Sequence, residues 1–596
     1  MSLTVEQQGV VKFADGFNMV CALPGSGKTH TSISVTEAII NMSDNYSVGM
    51  VTFTKASAEE MQSRVTKVIG GGNALPKDKV KCSTFHSFAL EQWKDFAPKF
   101  ELLIGTKQSN IINRALNNSS YDGDYEEACR ILDFYGQQLH PKPIAQDELN
   151  SWDLYETYVQ IVKVNNSLDF SMIFRNVILA MIDNKIPPLP FTHLLCDEFQ
   201  DTDNIQYAWL QEHAKKGAKI TTVGDDDQSI YGFRNSKGYA VMMQFQQEFQ
   251  AVEHVLSTCF RCRPEILSAA AKVIEFNGDR VIKQMKSNLS PGGEVYIYGL
   301  ETRDEEAVRA VEILQEHEGK EFAILARNNT QLDVLEELLR KNDIEYSRDV
   351  KGGFWDLPQV DSFLKLLYSI ANPYDVRYIS EVLGFLEEDE GEIIVLARES
   401  RKSQGFFAIS DSVLDNCRPS TKDLHKKFYM IGSDTEDEEM IRKRMNTLIE
   451  LIRDAKGKKD AKGMGAAVFV KDFLVEHGVG SLHERIEDIV YRLEPSFGKE
   501  NDKNDKDGPK ITLSTLHSAK GLEWPNVVIL GVANGVMPSP KNSAIDEERR
   551  LLYVGMTRAE DRLYMLYHRK PSDFLIEAFP QMFPDLIEDS KEDDSE

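Results

Sequence analysis

Residues 17–35 read FNMVCALPGSGKTHTSISV, and the eight residues from Ala22 to Thr29, ALPGSGKT, decide the fold. A short apolar run, Met19 to Cys21, leads into a turn rich in Pro and Gly, and a helix-compatible stretch follows. This is the order of a phosphate loop, with Ala22 where the pattern usually has its first Gly. In the turn Gly25, Ser26 and Gly27, the two glycines let backbone N–H groups point inward at phosphates, and the helix start adds positive potential. Lys28 is placed to neutralise the β- and γ-phosphates of ATP, and the Thr29 hydroxyl to hold Mg²⁺. Kinases, GTPases, ATPases and motors all use such a loop, so the partner motifs have to decide.

The first partner is THLLCDEFQDTDNIQ, residues 192–206. Leu194 to Cys196 reads as a buried strand, and carboxylates at the C-terminal edge of such a strand face the nucleotide in open α/β sheets. Asp197 is expected to hold Mg²⁺, and Glu198 to orient or deprotonate the attacking water. The second is ITTVGDDDQSIYGFR, residues 220–234, another strand and polar turn. Its Gln228 is placed to feel the γ-phosphate. Tyr231 and Phe233 offer flat surfaces for base stacking, although taken alone such aromatics suit a core role better.

ALPGSGKT, DEFQDT and VGDDDQSIYGFR, in that order and spacing, resemble motifs I, II and III of the UvrD/Rep-type superfamily 1 DNA helicases. Further motifs of that family have counterparts in this sequence. Gln7 in LTVEQQ is similar to an adenine-reading Gln. TFTKASAEEM (Thr52 to Met61) and STFHSFA (Ser83 to Ala89) resemble strand-contacting motifs, which implies DNA contacts for Thr54, Phe85 and His86. LSTCFRCRP resembles motif IV, implying that Arg261 reaches the γ-phosphate and Phe260 stacks on adenine. AILARNN supplies Arg327 as a DNA contact. ITLSTLHSAKGLEWPNVVILG resembles motif V, with Thr515, His517 and Lys520 near the strand and Glu523 at the ribose. EERRLLYVGMTRA resembles motif VI, whose Arg558 is implied to be the second γ-phosphate arginine.

Three positions depart from the family pattern. Lys55 stands where an Asn is usual, and Cys259-Phe260-Arg261 replaces Asn-Tyr-Arg, keeping ring and charge but losing two hydrogen-bonding groups. His30 follows the phosphate-loop Thr where an adenine-stacking Arg is usual, and its ring can stack too, but more weakly. Such changes are expected to alter affinity rather than abolish hydrolysis.

The chain of 596 residues is too long for one core, so roughly three to five domains are expected. At 41% hydrophobic and 28% charged it has an ordinary soluble globular composition. No run of about 18 uncharged apolar residues occurs, so no membrane span is expected. The start, MSLTVEQQGVVKF, lacks the pattern of an export signal, which implies a cytoplasmic, nucleoid-associated protein, or one in a host's cytoplasm if phage-encoded. Cys259 and Cys262 have metal-ligand spacing, but no second Cys or His pair of suitable spacing stands near, so they read as reduced thiols. The net charge of −26 argues against a passive nucleic-acid coat, not against a motor, whose affinity depends on the local potential of a groove. Part of the acidity lies in the tail PDLIEDSKEDDSE, which reads as a solubilising or protein-partner segment.

The expected fold class is α/β, with two RecA-like parallel-sheet motor domains, each interrupted by a mostly helical insertion. The motifs divide the chain into a first ATPase domain (1–88 and 190–250) with a helical insertion (89–189). A second domain (251–372 and 510–575) follows, with another insertion and polar linker (373–509) and an acidic tail (576–596). The resemblance implies an ATP- and Mg²⁺-dependent motor moving 3′→5′ on single-stranded DNA and opening duplexes at single-strand/double-strand junctions, monomeric in isolation. A translocase or nucleic-acid-sensing ATPase that strips proteins without processive unwinding remains the alternative. The stretch after Ala559 is too short for a nuclease domain, so none is expected.

Overall fold

In the computed structural model the apolar run before the phosphate loop is strand β1 (Asn18–Ala22), buried along its whole length. Val20 and Ala22 join one hydrophobic cluster, while Met19 and Cys21 join another. A strand whose two alternating sets of side chains are both apolar is buried on both faces, as parallel sheets covered by helices require. The structure describes residues 2–584, apart from 74–75, 77, 148, 233–235, 349–357, 373–375, 387, 404, 432–433, 457–460, 478–479, 488–509 and 541–543. Phe233, the polar linker from 497 to 509 and the acidic tail from 585 therefore lie outside the described residues.

The first sheet also contains β2 (Val48–Thr52) and β3 (Val80–Thr84). A two-stranded pair, β4 (Glu101–Leu102) and β5 (Ser167–Leu168), lies apart from it, and β6 (His193–Cys196), β7 (Lys219–Gly224) and β8 (Val252–Leu256) complete it. Its order is β3-β2-β6-β7-β1-β8, with every pairing parallel. After the short pair β9 (Thr258–Cys259) and β10 (Lys286–Ser287) comes a second six-stranded sheet. It is built from β11 (Glu294–Leu300), β12 (Phe322–Ala326), β13 (Ser347–Arg348), β14 (Ile511–Thr515), β15 (Trp524–Leu530) and β16 (Ala559–His568). Its order is β11-β16-β15-β12-β14-β13, again all parallel. In central β12, Ala323 and Leu325 face one cluster and Phe322, Ile324 and Ala326 the other.

Two helical clusters hang from the sheets. One runs from Leu103 to Met172 and includes the helices Thr106–Asn118, Tyr125–Gly136 and Ser151–Val164. The helix Phe170–Ile182 instead puts Ile173, Phe174, Val177, Ile178 and Met181 into the core of the first sheet, because its apolar residues recur at helical spacing on that side. The other cluster runs from Val360 to Ile486 and contains the charged helix Glu438–Lys456. The two clusters meet where Asn110 donates to the Gly384 carbonyl at 3.3 Å. The chain stays packed beyond residue 576: Ala578, Phe579 and Phe583 are buried in the second sheet's core, so 576–583 belongs to that core rather than to a tail. Among the described residues no helix is long and apolar enough to cross a membrane.

Leu325 is fully buried at the centre of the second sheet. Leu325→Ala should cost about 2–5 kcal/mol of stability, through lost transfer energy and the cavity left behind. Chemical denaturation followed by circular dichroism measures this; a loss below about 1 kcal/mol would contradict the packing described.

Candidate active site

The phosphate loop leaves β1 and turns through Gly25 (φ +67°) and Gly27 (φ +80°), both left-handed, where glycine carries no steric penalty. Gly27 caps the helix Lys28–Met42 without any side-chain hydrogen bond, so the first N–H groups of that helix remain available to an anion. Gln7 holds the loop from behind, donating from Nε2 to the Ser26 carbonyl at 3.1 Å while its Oε1 accepts from the Thr4 N–H at 3.0 Å. Both ends of its amide are thus engaged. His30 is half-buried, and its Nε2 is enclosed without a hydrogen-bond partner, as is the Ser26 hydroxyl.

The acidic pair stands at the C-terminal end of β6, beside β1's neighbour β7. Lys28 Nζ lies 3.0 Å from Glu198 Oε1, and Gln200 donates to Glu198 Oε2 at 2.6 Å. Desolvation alone would raise Glu198, but Lys28, Lys520 and the Gln200 hydrogen bond outweigh it and hold the carboxyl below its usual range. Asp197 goes the other way, raised by desolvation and by the adjacent Glu198 charge. Its Oδ1 is buried and makes no hydrogen bond. An uncommitted carboxylate oxygen beside a phosphate loop fits a Mg²⁺ ligand, with Thr29 at the start of the facing helix.

The segment that leaves β8 and runs on into the second sheet's core lies directly against this loop. The Phe260 N–H donates to the Gly25 carbonyl at 2.8 Å, and a Cβ added at Gly25 would sit 2.4 Å from the Arg261 Cβ. Phe260 itself is half-buried. Arg261 reaches Glu523 Oε2 at 2.5 Å, so the two residues expected at the γ-phosphate and the ribose hold each other here. Arg558 is 1% exposed and donates to four neutral acceptors: Val554 O at 2.9 Å, Leu522 O at 3.0 Å, Gln228 Oε1 at 3.0 Å and Thr557 Oγ1 at 3.2 Å. Burial, with the like charge of Arg261, pulls this guanidinium down to about 9. The structure thus brings Lys28, Glu198, Gln228, Arg261 and Arg558 together.

The cleft's charges follow a simple account. Lys28 pairs with Glu198, Lys520 with Asp201, and Arg261 with Glu523. Among the described residues Asp197 and Arg558 make no ion pair. One anion and one cation are left over on opposite sides of the same cleft.

The residues expected along the DNA strand are less uniform. Thr54 is exposed and caps the helix Lys55–Val68 through the Ser57 N–H at 3.1 Å. Phe85 does not face outward: at 1% exposure it packs edge-on to Phe53 and Trp209, because it begins the buried face that Phe88 and Ala89 continue along its helix. Its ring therefore offers no surface to a base. His86 packs against Phe170 and Phe174, and burial takes it down to about 4, so it is neutral and can contribute only hydrogen bonds. Arg327 is forked on buried Glu548 at 2.7–3.2 Å. Thr515 accepts from the Ser518 N–H at 3.2 Å, and the His517 ring lies 6.4 Å from that of Tyr231. Lys520 is not on an open strand path either. It pairs with Asp201, donates to the Gln228 carbonyl at 2.8 Å, and sits 5.0 Å over the Tyr231 ring.

Sequence reasoning passed over Gln200 and Asp201, although both lie inside the DEFQDT stretch it quoted. It also passed over Arg550, which donates to the Ser229 carbonyl at 2.8 Å across the cleft, and the cations that meet Asp225 to Asp227. The run of three aspartates was visible; that cations 53 to 58 positions later pair with it was not.

Comparison with known proteins agrees with this arrangement. Residues 3–250 match the family model described as the UvrD/REP helicase N-terminal domain, and residues 254–392 and 376–570 match the UvrD-like helicase C-terminal domain. The chain is 28% identical to the ATP-dependent DNA helicase Rep of Buchnera aphidicola subsp. Schizaphis graminum, over 97% of this chain and 96% of that one. It is 25% identical to the ATP-dependent DNA helicase PcrA of Staphylococcus epidermidis, over 98% and 87% respectively.

Gly25→Ala tests the closed interface. The substitution meets a strained φ and a contact with Arg261 at once. Strain of about 1–3 kcal/mol corresponds to roughly 5- to 150-fold in kcat/KM for ATP, measured by a coupled ATPase assay. An unchanged kcat/KM would show that the two sheets do not meet here during turnover.

Proposed function

This chain belongs to the UvrD/Rep helicase family, and from that membership we propose that it is a motor advancing 3′→5′ along single-stranded DNA and opening duplexes ahead of it. It is an ATP-driven DNA helicase. The observation that carries the mechanism is the buried, desolvated Arg558, which makes no ion pair among the described residues and is bonded across the cleft to Gln228. A γ-phosphate between Lys28 and Arg558 gives this cation its counter-charge.

In this reading Lys28 and the phosphate-loop N–H groups bind the phosphates, while Gln7, His30 and Phe260 surround the base and Glu523 the ribose. Glu198, held as a carboxylate by Lys28, orients the attacking water and accepts its proton. Asp197 and Thr29 would hold Mg²⁺, which supplies charge neutralisation on the phosphate oxygens. Gln228 reports the γ-phosphate. Arg261, released from Glu523, and Arg558 stabilise charge on the transferring phosphoryl group. All these groups meet only when the two sheets are closed, so loss of the γ-phosphate weakens closure and lets the sheets move apart. Alternating closure moves a strand held by Thr54, Tyr231, Phe233, Thr515 and His517. We take His86, Arg327 and Lys520 to act there by rearranging, since each is engaged inside the protein in this structure.

Duplexes carrying either a 3′ or a 5′ single-stranded tail test the direction and the work done. Strand displacement of the 3′-tailed substrate alone is expected; displacement of the 5′-tailed one would reverse the assigned polarity. Translocation without displacement on either substrate would favour a protein-stripping translocase instead. Arg558→Ala should lower DNA-stimulated kcat by about 10³-fold or more, with KM for ATP changing by less than about tenfold. A variant that loses only ATP affinity would remove Arg558 from the chemical step.

A further inference from the structure

Beyond the nucleotide-facing end of β7 lies a buried ionic cluster that the mechanism above does not use. Asp225, Asp226 and Asp227 follow one another there, each at most 2% exposed. Lys283 Nζ stands among them, 3.0 Å from Asp225, 2.5 Å from Asp226 and 2.8 Å from Asp227. Arg280 forks onto Asp227 at 2.8 and 2.7 Å, and the Val281 N–H donates to Asp226 at 2.6 Å. The cations come from the other half of the molecule. Their segment follows the helix Pro264–Ile274, which packs in the second sheet's core, and Asn277 ties it to the Asp546 carbonyl at 2.9 Å. Val281 nevertheless sits in the first sheet's core, and Met285 returns to the second. Residues 277–285 are therefore a strap that reaches from one sheet into the other.

The cluster connects to the active site through one residue. Asp225 meets Lys283 through Oδ1 and accepts from Gln228 Nε2 through Oδ2, at 2.6 Å. The far end of the same amide, Gln228 Oε1, accepts from Arg558 at 3.0 Å. A primary amide has one donor end and one acceptor end, so whatever holds Nε2 decides which end faces the arginine. A carboxylate only accepts. With Asp225 in place, Gln228 must turn its oxygen to Arg558; with Asp225 displaced, the amide is free to turn its NH₂ toward a guanidinium that can only donate. Three adjacent buried carboxylates repel one another, and among the described residues Lys283 is the one cation in contact with all three.

We propose that Lys283 is a positioning residue for ATP turnover: by holding the Asp225 carboxylate it fixes the orientation of the Gln228 amide and the Gln228–Arg558 contact across the cleft. The proposal rests on the reading of Gln228 as the γ-phosphate sensor. Because Lys283 rides on the strap, movement of the second sheet is transmitted to the sensor from behind as well as from the nucleotide side.

The test is steady-state ATPase of the full chain with single-stranded DNA, alongside thermal unfolding. Lys283→Gln should lower kcat by about tenfold or more while KM for ATP stays within about threefold. Lys283→Gln leaves a buried excess of negative charge, and a second variant separates that effect from the positioning role: Lys283→Gln with Asp226→Asn restores the cluster's net charge, from three carboxylates and two cations to two carboxylates and one cation. The double variant should regain thermal stability without regaining turnover. Recovery of wild-type kcat would mean that Lys283 only balances charge, and the proposal would be wrong. Asp225→Asn, which keeps Lys283, should show the same loss of kcat; full activity there would overturn the proposal as well. Gln228→Ala serves as the separate control, because undiminished turnover in that variant would refute the sensor reading itself.

Discussion

The structure depends on a guanidinium that makes no ion pair among the described residues. Arg558 is buried, surrounded by neutral acceptors, and close enough to Arg261 for the two charges to oppose each other. Removing an ion from water costs several kcal/mol even after the protein relaxes, and an ion pair offsets that cost only when it exists. Lys28, Lys520 and Arg261 each have a carboxylate. In the mechanism proposed above Arg558 gains its partner from a nucleotide, which makes the closed arrangement of the two sheets sensitive to the presence of a γ-phosphate. That sensitivity converts a chemical event of atomic size into relative movement of two domains.

The same economy explains how an acidic protein handles polyanions. The net charge of −26 says little about the cleft, where Lys28, Lys520 and Arg261 are each paired with a carboxylate. Several residues expected to touch nucleic acid or nucleotide are engaged with internal carboxylates: Arg327 with Glu548, Lys520 with Asp201, Arg261 with Glu523. Pairs of this kind lower the cost of keeping a cation in a desolvated place until a phosphate competes for it. They also make binding conditional on rearrangement, so the cations respond to the state of the cleft rather than to bulk potential.

The ATP half of the site was legible because its chemistry is local. The order strand, glycine turn, Lys28, Thr29 can be read within one stretch of chain, as can an apolar strand ending in Asp197 and Glu198. The strand-contacting half was less so. The resemblance implied a DNA contact for Phe85 in STFHSFA, yet the i, i+3, i+4 spacing with Phe88 and Ala89 marks it as the start of a buried helix face. The spacing was available; its meaning depended on knowing that Trp209, far along the chain, closes over that face.

By itself the sequence determined the two parallel-sheet domains and the identity of the groups that can handle a phosphate. Strand burial follows from continuous apolar runs, and phosphate chemistry follows from residue type at fixed local spacing. Only the tertiary structure decided who pairs with whom. Whether Arg261 faces Glu523, whether Lys520 is open or held by Asp201, and whether Lys283 reaches three aspartates are questions of distance between segments far apart in the chain. Charge interactions fall off with separation in space, not in sequence, so no local pattern could have set them.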